Sequence, residues 1–182
     1  MPTGFDDQPT LVGPTLDLRP LVSGDLDALH AAASDPLTWA GHPATERYKR
    51  ENFEPYFRQL VALGGTLAVE DRAAGRIIGC SRYYVAPDQP DAISIGFTFL
   101  DRSHWGGATN RELKTLMLTH AFASFDAVWF HIAPSNIRSQ KATAKLGARH
   151  VYDAVLDLAG TPTPWQCFRL DKAEWERRRA FS

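Results

Sequence analysis

The amino-acid sequence predicts a mixed α/β fold, with a central, mostly antiparallel sheet of about seven strands flanked by about four helices. Two changes of rhythm carry that prediction. Mid-chain, Ile93, Ile95, Phe97 and Phe99 alternate with Ser94, Gly96, Thr98 and Leu100, which is the period of two of a half-buried strand. After it the pattern turns to strand–helix–strand–helix and closes in a hairpin, so the sheet cannot be a pure doubly wound one. No internal repeat or linker-like stretch interrupts the chain, which predicts one domain over residues 15–182 behind a loose arm at 1–14.

The elements follow in order. Leu16, Leu18 and Pro20-Leu21 form a short strand, and Ser23-Gly24-Asp25 caps a helix reaching Ser34, with Leu26, Leu29 and Ala33 at helical spacing. Residues 35–51 read as irregular and aromatic, holding Trp39, His42, Pro43 and Tyr48. A helix runs from an Asn52 cap to Leu63, with Pro55 in its first turn, Phe53, Phe57, Leu60 and Val61 on one face and Gly64-Gly65 as its stop. Strands at 66–71 and 76–85 and the alternating strand at 93–100 read as a meander. A helix at 110–125, a strand at 127–133, a helix at 136–146 closed by Gly147, strands at 148–158 and 164–170, and a helix at 172–179 complete the chain.

Composition narrows the function. Twenty Lys and Arg stand against 21 Asp and Glu, a net charge of −1, which offers no field to attract nucleic acid. The densest basic run, Arg177-Arg178-Arg179, reads as a solvated helix end. Cys80 and Cys167 are far apart, no CxxC occurs, and no His/Cys spacing matches a zinc site, so both are expected as buried small residues and no metal is expected. The start, Met1–Thr10, lacks the basic and apolar regions of a signal peptide, and no segment is apolar enough to span a membrane, so the expectation is a cytoplasmic protein without a membrane partner.

The stretch richest in chemistry follows the alternating strand: Asp101-Arg102-Ser103-His104-Trp105-Gly106-Gly107-Ala108-Thr109-Asn110. A small-residue bend delivered to a helix N-terminus presents unpaired N–H groups to an anion. The same residues also suit a plain tight turn. No Gly-Lys-Ser/Thr follows and no GxGxxG is present, so neither a Walker loop nor a dinucleotide fingerprint is read.

The order of elements, the Ile95-Gly96-Phe97-Thr98-Phe99-Leu100 strand, the Trp-Gly-x-x-x-Asn-x-Glu loop, and Asn136-Ile137-Arg138-Ser139 together resemble the GNAT N-acetyltransferases. The branch most resembled is that of the ribosomal-protein alanine acetyltransferases, whose last strand and Glu-Trp finish are similar to residues 168–175. The resemblance runs from about Leu16 to Trp175. It implies an acyltransferase that moves acetyl from acetyl-coenzyme A, as co-substrate, to an amine by direct attack.

The same resemblance implies that the strand 93–100 splays from the strand 127–133 and that the pantetheine arm pairs with backbone near Phe99 and Leu100. The loop Trp105, Gly106, Gly107, Ala108, Thr109 and Asn110 then holds the pyrophosphate. Asn136 bonds the arm, and Ser139 protonates the leaving thiolate. In the family's loop pattern, Gln/Arg-x-x-Gly-x-Gly/Ala, the slots hold Trp105, which is common in this branch, and Ala108 and Asn110, which are departures.

The amine must lose a proton, since an alkylammonium titrates near ~10, so a base is needed. His131, on the strand beside the implied splay, is the candidate, and core packing is its other reading. Asn136 is also a good helix cap in its own right. The acceptor site is expected in the segment 36–50 and around Tyr83, with Trp39, His42 and Tyr83 as substrate residues; each is equally an ordinary packing residue. The alternative function is a degenerate module that binds acetyl-coenzyme A or another protein without turnover. The hairpin 148–170 offers an edge at which a second copy would form a homodimer.

Overall fold

The structure is a computed structural model and describes residues 4–180. The first three residues of the expected arm and the last two of the expected domain lie outside the described residues. The strands are β1 (Leu11–Val12), β2 (Leu16–Pro20), β3 (Thr66–Asp71), β4 (Arg76–Tyr84), β5 (Ile93–Leu100), β6 (Ala127–Ile132), β7 (Arg149–Asp157) and β8 (Pro162–Asp171). The helices are α1 (Leu26–Ala33), α2 (Pro36–Trp39), α3 (Arg50–Leu63), α4 (Thr109–Ala121), α5 (Ile137–Lys145) and α6 (Lys172–Arg179). The strands form one mixed sheet in the order β1-β2-β3-β4-β5-β6-β8-β7. Pairing is antiparallel for β1/β2, β2/β3, β3/β4, β6/β8 and β7/β8, and parallel for β5/β6. The mixed fold is as the sequence predicts, with β1 and α2 added. The added strand lies in the expected arm, where Leu11 and Val12 pair with Leu18 and Asp17.

The contacts divide the chain into two compact units, one of residues 6–83 and 97–117, the other of the described residues of 1–5, 84–96 and 118–182. In the first unit, α1, α2 and α3 supply Leu29, Ala33, Trp39, Phe53, Tyr56, Phe57 and Leu60 to a cluster with Ala68, Ile77, Cys80 and Phe99 from the strands. Each such large side chain removed from water is worth roughly 1.5–3 kcal/mol. Asp35 starts α2 by accepting the Leu37 N–H at 2.8 Å, with Pro36 in the first position, where its missing N–H costs nothing. That is why part of the segment expected to be irregular is helical.

α3 begins at Arg50, two residues before the expected cap. Asn52 instead donates its side-chain amide to the Glu46 carbonyl at 3.2 Å, and Pro55 falls inside the helix at the cost of one rung. α4 ends at Ala121 rather than Phe125; residues 122–124 continue as turn, with Phe125 N–H still on the Ala121 carbonyl at 3.0 Å.

In the second unit β8 is the middle strand. His131 of β6 stands opposite Cys167 of β8, and Tyr152 of β7 stands opposite the same cysteine. Trp129, Leu156 and Cys167 form its cluster, and Trp175 of α6 packs against Phe122 with ring centroids 6.4 Å apart. Phe5, from the expected arm, meets His120 and Phe125 at 5.0 and 5.1 Å. The parallel β5/β6 ladder holds two residue pairs, Ile93 with Val128 and Ser94 with Trp129, although β6 continues as strand through Phe130, His131 and Ile132. Cys80 and Cys167 are buried and unpaired. Among the described residues no helix is long and apolar enough to cross a membrane.

Candidate acyl-transfer site

In the first unit β5 leads through a short 3-10 turn, Arg102–His104, into the bend before α4. Asp101 caps that turn, accepting the Ser103 N–H at 3.0 Å, and the Trp105 indole N–H donates to the Leu100 carbonyl at 3.0 Å, which ties the bend to the strand end. Gly106 turns the chain with φ 73°, a value that favours glycine. A methyl group on Gly106 or Gly107 would meet nothing within 4 Å, so the backbone there faces open space. Ala108 is not among the left-handed residues, so its side chain brings no backbone strain.

The first rung of α4 is the Glu112 N–H on the Ala108 carbonyl at 2.9 Å. The N–H groups of Ala108, Thr109, Asn110 and Arg111 have no acceptor among the described residues, and the positive end of the helix dipole lies with them. Just upstream, Phe97 adopts φ 50°, the one non-glycine residue so strained among the described residues. Strain of that kind persists where surrounding structure enforces it. The side chains of Phe99 and Leu100 are buried, and the Phe99 carbonyl crowds Gly79 so closely that any Cβ there would collide with it.

In the second unit Asn136 caps α5, its side-chain oxygen accepting the Ser139 N–H at 3.1 Å. The Ser139 hydroxyl is half-buried and has no partner among the described residues. His131 is buried: Nδ1 lies 2.8 Å from the Tyr84 hydroxyl, while Nε2 faces Asp88 Oδ1 at 3.5 Å without a hydrogen bond to it. Burial holds its pKa below the usual histidine value despite the nearby Asp88, so the ring is neutral at pH 7. The Tyr84 ring lies over Gly96, where a Cβ would sit 2.9 Å from it. That contact is the reason a glycine interrupts the apolar strand.

Asp88 also accepts the Tyr152 hydroxyl at 2.5 Å, and the Cys167 thiol lies 3.9 Å from it. Asp88, His131 and Cys167 bring ligand-type atoms within 4.8 Å of one another, a grouping that no spacing in the sequence signals. Loop 86–91 and the β6/β8 register assemble it from positions 79 residues apart at the extremes.

The three residues expected at the acceptor lie in the first unit. Trp39 is buried, donates its indole N–H to the Ala33 carbonyl at 2.8 Å and packs 5.2 Å from Phe99. His42 accepts the Ala44 N–H on Nδ1 at 2.9 Å and sits edge-on to Trp39. Tyr83 is wholly buried and donates its hydroxyl to the Met117 carbonyl at 2.7 Å, a packing position. Tyr84, its neighbour, is the tyrosine that reaches a titratable group.

A family model described as an acetyltransferase (GNAT) domain matches residues 15–149, well over half of the chain. The chain belongs to the GNAT acetyltransferase family. Solved structures agree on the fold. A GCN5-related N-acetyltransferase from Brucella melitensis superposes with a TM-score of 0.77 at 20% identity, covering 96% of this chain and 84% of that one. A GNAT-family acetyltransferase from Bacillus anthracis gives 0.70 at 13% identity, covering 91% and 99%. Mycobacterium smegmatis RimJ, in complex with CoA-disulfide, gives 0.65 at 18% identity, covering 95% and 93%. No match was found among curated proteins. GNAT membership makes this chain an acyltransferase, with acetyl transfer as the general reaction of its family.

Proposed function

We propose that this GNAT protein transfers acetyl from acetyl-coenzyme A to a primary amine, in the manner of the ribosomal-protein alanine acetyltransferase-like branch, and works in the cytoplasm. The observation that carries this reading is the row of N–H groups at Ala108–Arg111 left without acceptors beside an open glycine bend. Unpaired amides at a helix start beside an open bend fit a diphosphate. Trp105 through Asn110 are assigned to the pyrophosphate, and the backbone at Phe99 and Leu100, with Asn136, to the pantetheine arm. The structure of RimJ with CoA-disulfide is a fold relative with coenzyme A chemistry bound, and it supports the choice of co-substrate.

Acetyl-coenzyme A supplies an activated thioester. The amine nitrogen attacks its carbonyl carbon, the C–S bond breaks, one proton leaves the nitrogen and one reaches sulfur. Ser139, with a hydroxyl uncommitted to protein, gives its proton to the departing sulfur and regains one from solvent. The ammonium proton passes to the Tyr84 oxygen as the Tyr84 hydroxyl proton moves to His131 Nδ1, 2.8 Å away. His131 is thus the base acting through Tyr84, and Asp88 stabilises the cation that forms. Neutral His131 is the form this needs, and burial favours it.

Calorimetry with acetyl-coenzyme A, followed by a thiol-release assay over a panel of amines, tests the proposal. Micromolar binding and amine-dependent release are expected. Binding with no release on any amine would replace it with the degenerate-module reading, and no binding would remove both. The departure at Ala108 does not favour the module, because the residue sits without strain.

A further inference from the structure

One cation in the first unit lies half-buried against aromatic rings, with no anion among the described residues to meet it. The Arg47 guanidinium lies 3.7 Å from the Tyr56 ring centre and 5.2 Å from that of Trp39. Its side chain has no hydrogen-bond acceptor among the described residues. Comparable arginines in the same unit are satisfied: Arg19 is paired with Asp25 and Glu70, each at 2.8 Å, and Arg82 donates to the Gly64 and Leu63 carbonyls at 2.8 and 3.3 Å. The Tyr56 hydroxyl, in a residue only 8% exposed, also has no partner among the described residues.

Five guanidinium donors and a phenol donor therefore stand together unmatched. The groups acting electrostatically on Tyr56 are Cys80, Arg47 and Arg82, and those acting on Cys80 are Arg47 and Lys114, with no carboxylate among them. Stacking on two rings holds the guanidinium in place and leaves its N–H donors, with the Tyr56 hydroxyl, open to a ligand. Desolvation draws the Arg47 pKa below its ordinary value.

We propose that Arg47 and Tyr56 form a binding site for a carboxylate carried on the acceptor amine. This deepens the acetyl-transfer reading and rests on it for the meaning of "acceptor". The chemistry is a planar oxyanion held by the guanidinium fork, with the phenol as an added donor and the Trp39, Tyr56 and Phe99 rings as apolar walls. A neutral amine of the same shape would leave both donors unmet. Selection therefore comes from the penalty on the wrong substrate as much as from the bond to the right one.

Calorimetric titration of the whole protein with benzoate, and with benzamide as its neutral counterpart, reads the site without any turnover. Benzoate is expected to bind and benzamide not. Arg47→Gln should weaken benzoate by roughly tenfold to a hundredfold, and Arg47→Lys by less. Tyr56→Phe, which keeps the ring under the guanidinium, should cost several-fold and serves as the second variant if thermal unfolding shows Arg47→Gln to be misfolded. Acetylation of β-alanine against β-alaninamide, and of a peptide with a second-position Asp against Asn, then separates a free amino acid from an acidic peptide as the source of the carboxylate. Equal binding of benzoate and benzamide, binding of neither, or benzoate binding that survives both substitutions would overturn the proposal. Benzoate selectivity without thiol release from any amine would leave an anion site and sink acetyl transfer. Thiol release indifferent to the carboxylate would do the reverse.

Discussion

Lys114 gives the sharpest test of the energetics, because it is a buried amine bonded to the Thr98 hydroxyl. It is 7% exposed, its Nζ lies 2.9 Å from Thr98 Oγ1, and that oxygen is in turn 2.7 Å from Ser81 Oγ. Burial pushes its pKa down from 10.5 to about 7. Between those two values the unfolded chain binds a proton that the folded chain does not, so low pH favours unfolding and stability rises as pH rises. At about 1.4 kcal/mol per pH unit, the whole gap of about 3.5 units is worth about 5 kcal/mol, of which roughly 2 kcal/mol falls between about pH 7 and pH 9, since the folded lysine is still half protonated at pH 7. For a domain of this size that is roughly 4–8 °C in Tm.

Lys114→Met keeps the length of the side chain and removes the titration. Urea unfolding at a series of pH values should show the wild type gaining about 2 kcal/mol over this range relative to the variant. Stopping near pH 9 keeps tyrosine ionisation in the unfolded chain out of the comparison. Parallel profiles for the two proteins would refute a lysine neutral near neutral pH, and with it the view that burial lowers its pKa.

Three other outcomes are expected. Ser139→Ala should lower kcat by roughly tenfold or more while leaving the KM for acetyl-coenzyme A nearly unchanged; equal turnover in steady-state kinetics would take Ser139 out of the reaction. Tyr84→Phe should lower kcat by roughly 10²-fold with coenzyme binding intact, and calorimetry beside initial rates separates the two effects. Gly106→Ala forces a side chain into φ 73°, costing about 1 kcal/mol, and should weaken acetyl-coenzyme A severalfold by isothermal titration without an equal loss of Tm.

The fold was legible because its rhythm is local. The alternation at 93–100 and the apolar spacing of α4 survive any tertiary arrangement, so strand and helix follow directly. Boundaries were less legible where a side chain had two uses. Asn52 reads as a cap but bonds the Glu46 carbonyl, and the helix starts at Arg50 instead. The bend before α4 could be read from its glycines, yet whether its amides were spent internally could not, since that depends on backbone angles. The Tyr84, His131 and Asp88 grouping was half visible: His131 stood out by residue type, while Asp88 looked like any turn residue until the loop folded it back. Lys114 and Arg47 were hidden for the opposite reason, since lysine and arginine are expected at the surface, and only packing shows Lys114 buried and Arg47 stacked on two rings. Lys114 does share helical spacing with Leu118 and Ala121, both buried, and that spacing was the available signal.

The start of α4 explains why unpaired amides can persist without fraying. A helix end with no acceptors for its first N–H groups is held elsewhere by three bonds to one carboxylate: Glu112 accepts the Thr15 N–H at 2.8 Å, the Thr15 hydroxyl at 2.6 Å and the Leu16 N–H at 2.9 Å. Those bonds hold the Glu112 pKa below its usual value even though partial burial opposes them. The Trp105–Leu100 bond fixes the other side of the bend. The first turn is therefore anchored through side chains, which leaves its backbone donors uncommitted. If binding is what those donors are for, loosening the anchor should cost ligand affinity before it costs the fold. Glu112→Gln keeps the shape but weakens charge-assisted acceptance, by roughly 1–2 kcal/mol in all. It should raise the Kd for acetyl-coenzyme A at a temperature where circular dichroism still reports a folded chain. A Kd that stays fixed while Tm falls would show that the anchor serves stability alone.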